Sequence, residues 1–137
     1  MSDLTAVLTE LAREYFAPDQ VRFASLDTEG GLALFPAEGE AVESRAKSVT
    51  GRVRQVCRYP FTVVCQGGGL SEGRRAGVKE RLEGFGIWLE AREQWPPIQN
   101  GRLLDVRRTG AAHPDSKSED RQERWAMGLA ARYEMIF

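Results

Sequence analysis

Apolar residues alternate with polar ones over the longest patterned stretch of the chain. Between Arg52 and Gln66, one face carries Val53, Gln55, Cys57, Tyr59, Phe61, Val63 and Cys65. The other carries Arg52, Arg54, Val56, Arg58, Pro60, Thr62 and Val64. A period of two predicts a strand whose first face is core. The second face is basic at its start and apolar at its end. Pro60 has no amide proton, so the strand is expected to be an edge there or to bend at a bulge. Gly67-Gly68-Gly69 then reads as a tight turn, since glycine reaches positive φ without strain. A helix is expected from near Ser71 to about Glu93. Its apolar stripe is Val78, Leu82, Phe85 and Leu89, widened by Trp88. Gly77, Gly84 and Gly86 weaken that helix by roughly 1 kcal/mol each relative to alanine. Close approach to a sheet beneath is the expected reason for Gly84.

The remaining chain is read as cover or extension for this strand–turn–helix unit. Leu4, Val7, Leu8, Leu11 and Tyr15 have helical spacing, which predicts a helix over 3–16, capped by Ser2 or Asp3 and stopped by Pro18. Val21 to Leu26 and Leu32 to Phe35 read as two short strands. The turn cluster from Asp27 to Gly31 joins them into an expected hairpin. Residues 37–50 hold almost no large apolar side chain and are expected to form an exposed, mobile loop. Trp95-Pro96-Pro97 ends the second helix. Gly101 to Thr109 is a strand with Leu104 and Val106 inward, and the polar segment 110–123 is a long hairpin tip. The last element alternates throughout. Trp125, Met127, Leu129, Ala131, Tyr133, Met135 and Phe137 face one way, and Arg124, Ala126, Gly128, Ala130, Arg132, Glu134 and Ile136 face the other. The resulting α-β-β-β-α-β-β order predicts an α+β fold, a mostly antiparallel sheet with two helices packed on one face. Residues 1–137 are expected to form a single domain, with exposed loops at about 37–50 and 110–123.

Composition narrows the function classes. The chain has 137 residues with 19 basic and 20 acidic side chains, a net charge of −1. That balance disfavours a dedicated nucleic-acid binder. No run of 18 apolar residues occurs to span a membrane. Met1-Ser2-Asp3-Leu4 lacks a basic-then-apolar leader, so synthesis in a reducing cytoplasm is expected. Cys57 and Cys65 lie on one expected strand about 26 Å apart. A disulfide needs Cα atoms closer than about 7 Å, so an intrachain bond is excluded if the strand is continuous.

Catalytic chemistry finds little to build on. His113, the one histidine, stands in a polar segment without a positioned partner. Neither cysteine lies beside the basic cluster or helix start that marks a reactive thiol. The triple glycine lacks both the GxGxxG pattern and the Lys-Ser/Thr pair of a phosphate loop. The expectation is a protein that is not an enzyme and has no cofactor and no metal. Arg52, Arg54 and Arg58 share one strand face, with Arg74, Arg75 and Lys79 on the helix that follows. That patch reads three ways, as a solvated face, a subunit interface or a nucleic-acid surface. The third is disfavoured because Tyr59 and Phe61 point the opposite way.

The run from Arg54-Gln55 through Phe61-Thr62-Val63-Val64-Cys65-Gln66 resembles a segment of a family of small phage and prophage proteins. These are often labelled minor capsid proteins and are similar to siphophage tail terminators. Phe85 and Trp88-Leu89-Glu90, the connector Trp95-Pro96-Pro97 and the closing Ala131-Arg132-Tyr133-Glu134-Met135-Ile136-Phe137 match the family in order and spacing. The likeness covers about 52–137. The extra helix glycines and the Glu-rich segment at 37–50 depart from it. The resemblance implies a virion protein of the tail or neck, assembled in the bacterial host cytoplasm. Its partners would be other copies in a ring, commonly a hexamer, the tail tube protein and the head connector or neck protein. No membrane and no sequence-specific nucleic acid are implied. A head-completion protein and a small ligand-binding α+β module are the alternatives. A heterologous ring needs two different patches per subunit. The nominated patches are Arg52, Arg54 and Arg58 against Glu38, Glu40 and Glu43. His113, Asp115, Lys117, Glu119, Asp120 and Arg121 form the nominated tube or connector contact.

Overall fold

The computed structural model describes residues 3–17, 19–24, 31–68, 72–117 and 122–137. Ser2, Pro18, Leu26, the turn cluster at 27–30, Gly69, Ser71, Glu119, Asp120 and Arg121 lie outside the described residues. The elements are α1 (Leu4–Phe16), β1 (Val21–Phe23), β2 (Leu32–Pro36), β3 (Ala41–Lys47), β4 (Val53–Gly68), α2 (Glu72–Glu90), β5 (Pro97–Ile98), β6 (Gly101–Arg108), β7 (His113–Lys117) and β8 (Gln122–Ile136). The class is α+β, and the sheet is antiparallel except for the β1–β2 pair.

Strands β4 and β8 form the spine. They pair in unbroken antiparallel register from Arg54↔Ile136 to Gly68↔Gln122. Two expected turn glycines, Gly67 and Gly68, therefore belong to the strand. Each spine strand is flanked by a strand broken in two. On β4, β2 pairs with 61–65 and β3 with 53–58, both antiparallel. On β8, β6 and β7 divide the edge in the same way. The sheet order is β1-β2-β4-β8-β6-β5, with β3 on β4 and β7 on β8.

Four expectations are corrected by this arrangement. First, 37–50 is not a loop: β3 lies within it, every residue exposed, and returns to β4 through a turn with Gly51 at φ +89°. Second, 110–123 contains β7 rather than only a hairpin tip. Third, β1 runs parallel to β2, so the two are not a hairpin. β1 is instead held by α1, where Arg13 Nε donates to the Val21 carbonyl at 3.1 Å. Fourth, a bulge between Leu103 and Asp105 shifts the parity of β6. Leu103 and Val106 are buried, and Leu104 is not.

Pro60 sits neither at an edge nor in a bulge. It pairs with Ala130 on β8, while its carbonyl accepts from the Ala37 amide at 3.0 Å on the other side. The N–H and C=O of a strand residue point to the same edge, so the missing donor faces the seam between β2 and β3.

One cluster of buried side chains joins helices and sheet. Val7, Leu8, Leu11 and Phe16 of α1 and Leu82, Phe85 and Leu89 of α2 meet Tyr59, Phe61 and Val63 of β4 and Trp125, Met127, Leu129 and Ala131 of β8. The helices touch through aromatics: Tyr15 lies 5.5 Å from Phe85 and 5.4 Å from Trp88, centroid to centroid. Asp3 caps α1, its Oδ1 accepting from the Ala6 amide at 2.8 Å. A Cβ at Gly84 would strike the Tyr15 hydroxyl, so Gly84 serves the helix–helix contact. At Gly86 it would strike Arg108 and approach Met127, so Gly86 is where α2 comes close to the sheet.

Candidate assembly surface

The face of the sheet opposite the core is built from small side chains at one end and charges at the other. Ala33, Val64, Ala126 and Ala130 are buried on it without joining the core cluster. Toward the β3 end the spine residues become Arg58 opposite Arg132, then Val56 opposite Glu134. Flanking strands bring further charges into line. Arg102 of β6 sits opposite Glu134, and Asp105 opposite Arg132.

These charges form a ladder across four strands. Arg54 Nη2 reaches Glu134 Oε2 at 2.7 Å, and Arg102 Nη2 lies 3.6 Å from the same oxygen. Arg132 bridges two carboxylates, Glu43 at 3.0 Å and Asp105 at 2.9 Å. The Glu134 side chain is 4 % exposed, and the Arg54 hydrogen bond holds its carboxyl below the usual range. The hydrogen bond to Glu43, followed by the Asp105 charge, raises the Arg132 guanidinium. Paired charges arranged this way hold the strands in register.

The nominated interface residues are thus distributed unequally. Arg54 is engaged by Glu134 of its own chain, and Glu43 by Arg132. Arg58 is half-buried beside the seam, where a Cβ at Gly39 would lie 3.8 Å from its Nη1. Glu40 accepts from Tyr133 Oη at 3.3 Å on the core side of the sheet. Burial, then the neighbouring Cys57 and Glu40, push that phenol up. Arg52 and Glu38 are exposed. In the second nominated group, His113 is exposed in β7 with Nδ1 3.0 Å from the Ala111 carbonyl. Asp115 and Lys117 belong to the same strand. Cys57 and Cys65 are both free thiols, and burial pushes Cys65 up.

Among the described residues, no group of three or more His, Cys, Asp or Glu side chains is placed to hold a metal ion. Among the same residues, no helix is long and apolar enough to cross a membrane. No family model matches the chain, and no curated protein sequence matches it. The fold has a counterpart among solved structures. A chain of the virion of a native gene transfer agent (GTA) particle superposes with a TM-score of 0.58 at 15 % identity, covering 96 % of this chain and 97 % of that one. The two share an architecture over nearly their whole lengths.

Glu134, Arg132, Asp105 and Arg102 were not singled out from the sequence. A signal was present in the alternation of the last strand, which puts Arg132 and Glu134 on the face away from the core. Pairing that strand antiparallel to 53–68 sets a carboxylate within reach of Arg54. The pairing itself is a long-range choice that periodicity does not make.

Proposed function

We propose that this chain is a structural component of a phage-type virion, and within it a tail terminator. In this reading copies assemble as a ring, a hexamer, on the end of the tail tube, stop its growth and present a surface to the head connector or neck protein. The role is structural rather than catalytic, and its place is the tail or neck of the particle. The observation that carries the reading is the near full-length fold likeness to a chain of the GTA virion. The family resemblance over 52–137 points the same way, from residues rather than from fold.

The chain offers surfaces of the kind a ring requires. A heterologous contact needs two unlike patches on each subunit. The sheet extends at the β3 end as a ribbon exposed along its edge strand. The helices cover the core face elsewhere.

Light scattering of the purified chain across concentration at moderate salt, alone and with tail tube protein, tests the reading. Electron microscopy of the mixture accompanies it. A discrete ring-sized species, or one formed only on tube ends, is the expected result. A strict monomer that binds no tube overturns it. Binding to connector without binding to tube would replace the terminator with a head-completion protein.

A further inference from the structure

The core face of the spine does not stop where the helices stop. An α-helix rises about 1.5 Å per residue, so the 19 residues of α2 reach about 28 Å. A strand rises about 3.3 Å per residue, so the 16 residues of β4 reach about 53 Å. Beyond Tyr59 and Tyr133 the same face continues through Val53 and Gln55 of β4 and Met135 and Phe137 at the end of the chain. Register adds Val42, Arg45 and Lys47 of β3, opposite Cys57, Gln55 and Val53. Val42 is 54 % and Phe137 59 % exposed, on the face that elsewhere buries the core. Neither Arg45 nor Lys47 has an ion-pair partner among the described residues.

The outward side of α2 has the opposite character. Ile87 is 55 % exposed, opposite the buried Leu82, Phe85 and Leu89. Glu80 and Glu83 precede it at helical spacing, and neither has an ion-pair partner among the described residues. One surface is thus a largely apolar sheet face, interrupted by Gln55, with Glu40 held by Tyr133 at its inner margin and two free cations, Arg45 and Lys47, along its outer edge. The other is an apolar helix position edged by two free carboxylates.

We infer that the bare ledge formed by Val42, Val53, Phe137, Arg45 and Lys47 is covered by the outward face of α2 from a second copy of this chain. The contact repeats between molecules the helix-on-sheet packing that each molecule makes within itself. Arg45 and Lys47 meet Glu80 and Glu83, and Ile87 enters the apolar strip between Val42 and Phe137. The two surfaces differ, so the contact is heterologous, and each copy has one free ledge and one free helix face. The inference rests on the ring-forming role proposed above and moves the contact away from the Arg54 and Glu43 ladder, which is satisfied internally.

A charge swap tests it on the full chain, with sedimentation velocity across concentration as the readout. The pair Arg45→Glu with Lys47→Glu should weaken self-association by about tenfold or more, as like charges are brought together. Melting should be unchanged, since both positions are exposed. Glu80→Lys with Glu83→Lys should weaken it similarly. An equimolar mixture of the two variants should recover association between unlike copies. Wild-type association that neither pair of substitutions alters overturns this surface and leaves the ring reading standing. Loss in each variant without recovery in the mixture also overturns the pairing. So does a loss confined to joining with tail tube protein, which would make the tube the occupant of the ledge. Wild-type chain that never self-associates, with or without tube, overturns both readings together.

Discussion

Arg54 Nη2 donates to Glu134 Oε2 at 2.7 Å across the β4–β8 pair, joining an arginine read from the sequence as an interface residue to a carboxylate buried in its own sheet. The Arg54 side chain is 60 % exposed, while the Glu134 side chain is 4 % exposed. Removing the arginine therefore affects the acid more than itself. Arg54→Glu should lower the stability of the unassembled chain by about 1–3 kcal/mol, the cost of leaving a buried acceptor short of donors. Arg52→Glu, at an exposed position, should leave it unchanged. Urea denaturation of both variants checks this, and equal midpoints would remove the pair from the list of fold contacts.

The same pair sets a pH response. The Arg54 hydrogen bond holds the Glu134 carboxyl below the ordinary glutamate range in the folded chain. A carboxyl with a depressed folded pKa contributes stability that is fully present above its unfolded pKa. It is lost as pH falls through the lower folded value. The melting temperature should therefore drop on acidification below about pH 4.5. Glu134→Gln should flatten that drop while lowering the melting temperature near neutrality. Thermal melts of both proteins from pH 3 to 7 decide it, and parallel curves would refute the assignment.

Two glycines of α2 should respond differently to alanine. Nothing lies within 4 Å of a Cβ built at Gly77. Gly77→Ala should therefore stabilise by about 1 kcal/mol from helix propensity alone. At Gly84 the same methyl would meet the Tyr15 hydroxyl, on a ring packed against Phe16, Phe85 and Trp88. Gly84→Ala should lose most or all of that gain, and Tyr15→Phe in the same chain should restore it. A double-mutant cycle by denaturant titration reads the coupling.

Core truncation should be severe on both layers. Phe85 is fully buried between α1 and the sheet, and Trp125 packs against the same cluster from β8. Phe85→Ala and Trp125→Ala should each cost about 3–5 kcal/mol. A melting temperature within a few degrees of wild type for either would contradict the packing described.

Strong local periodicity made much of this fold legible. The faces of β4 and β8 follow the alternation of their residues, and the inward stripe of α2 follows Val78, Leu82, Phe85 and Leu89. Burial of one face imposes such patterns, so they survive in the sequence. β3 and β7 look like loops in the sequence because each is one half of a broken flanking strand. β3 is exposed on both faces and has no alternation to display. The alternation of β6 points to Leu104 rather than Leu103 because a bulge leaves no mark in hydrophobicity.

The candidate surface divides along the same line. That arginines gather on one face of β4 was visible from spacing alone. Their partners were not, because Arg54 and Glu134 are 80 residues apart and meet only when β4 and β8 pair. The sequence by itself determined which side chains seek the interior, through the two periods that helices and strands require. The tertiary structure decided which charges neutralise each other, where Pro60 finds a seam that asks for no donor, and how far the sheet outruns its helices. Those outcomes depend on register and on the unequal rise per residue of strand and helix, and neither is written in any local stretch of the chain.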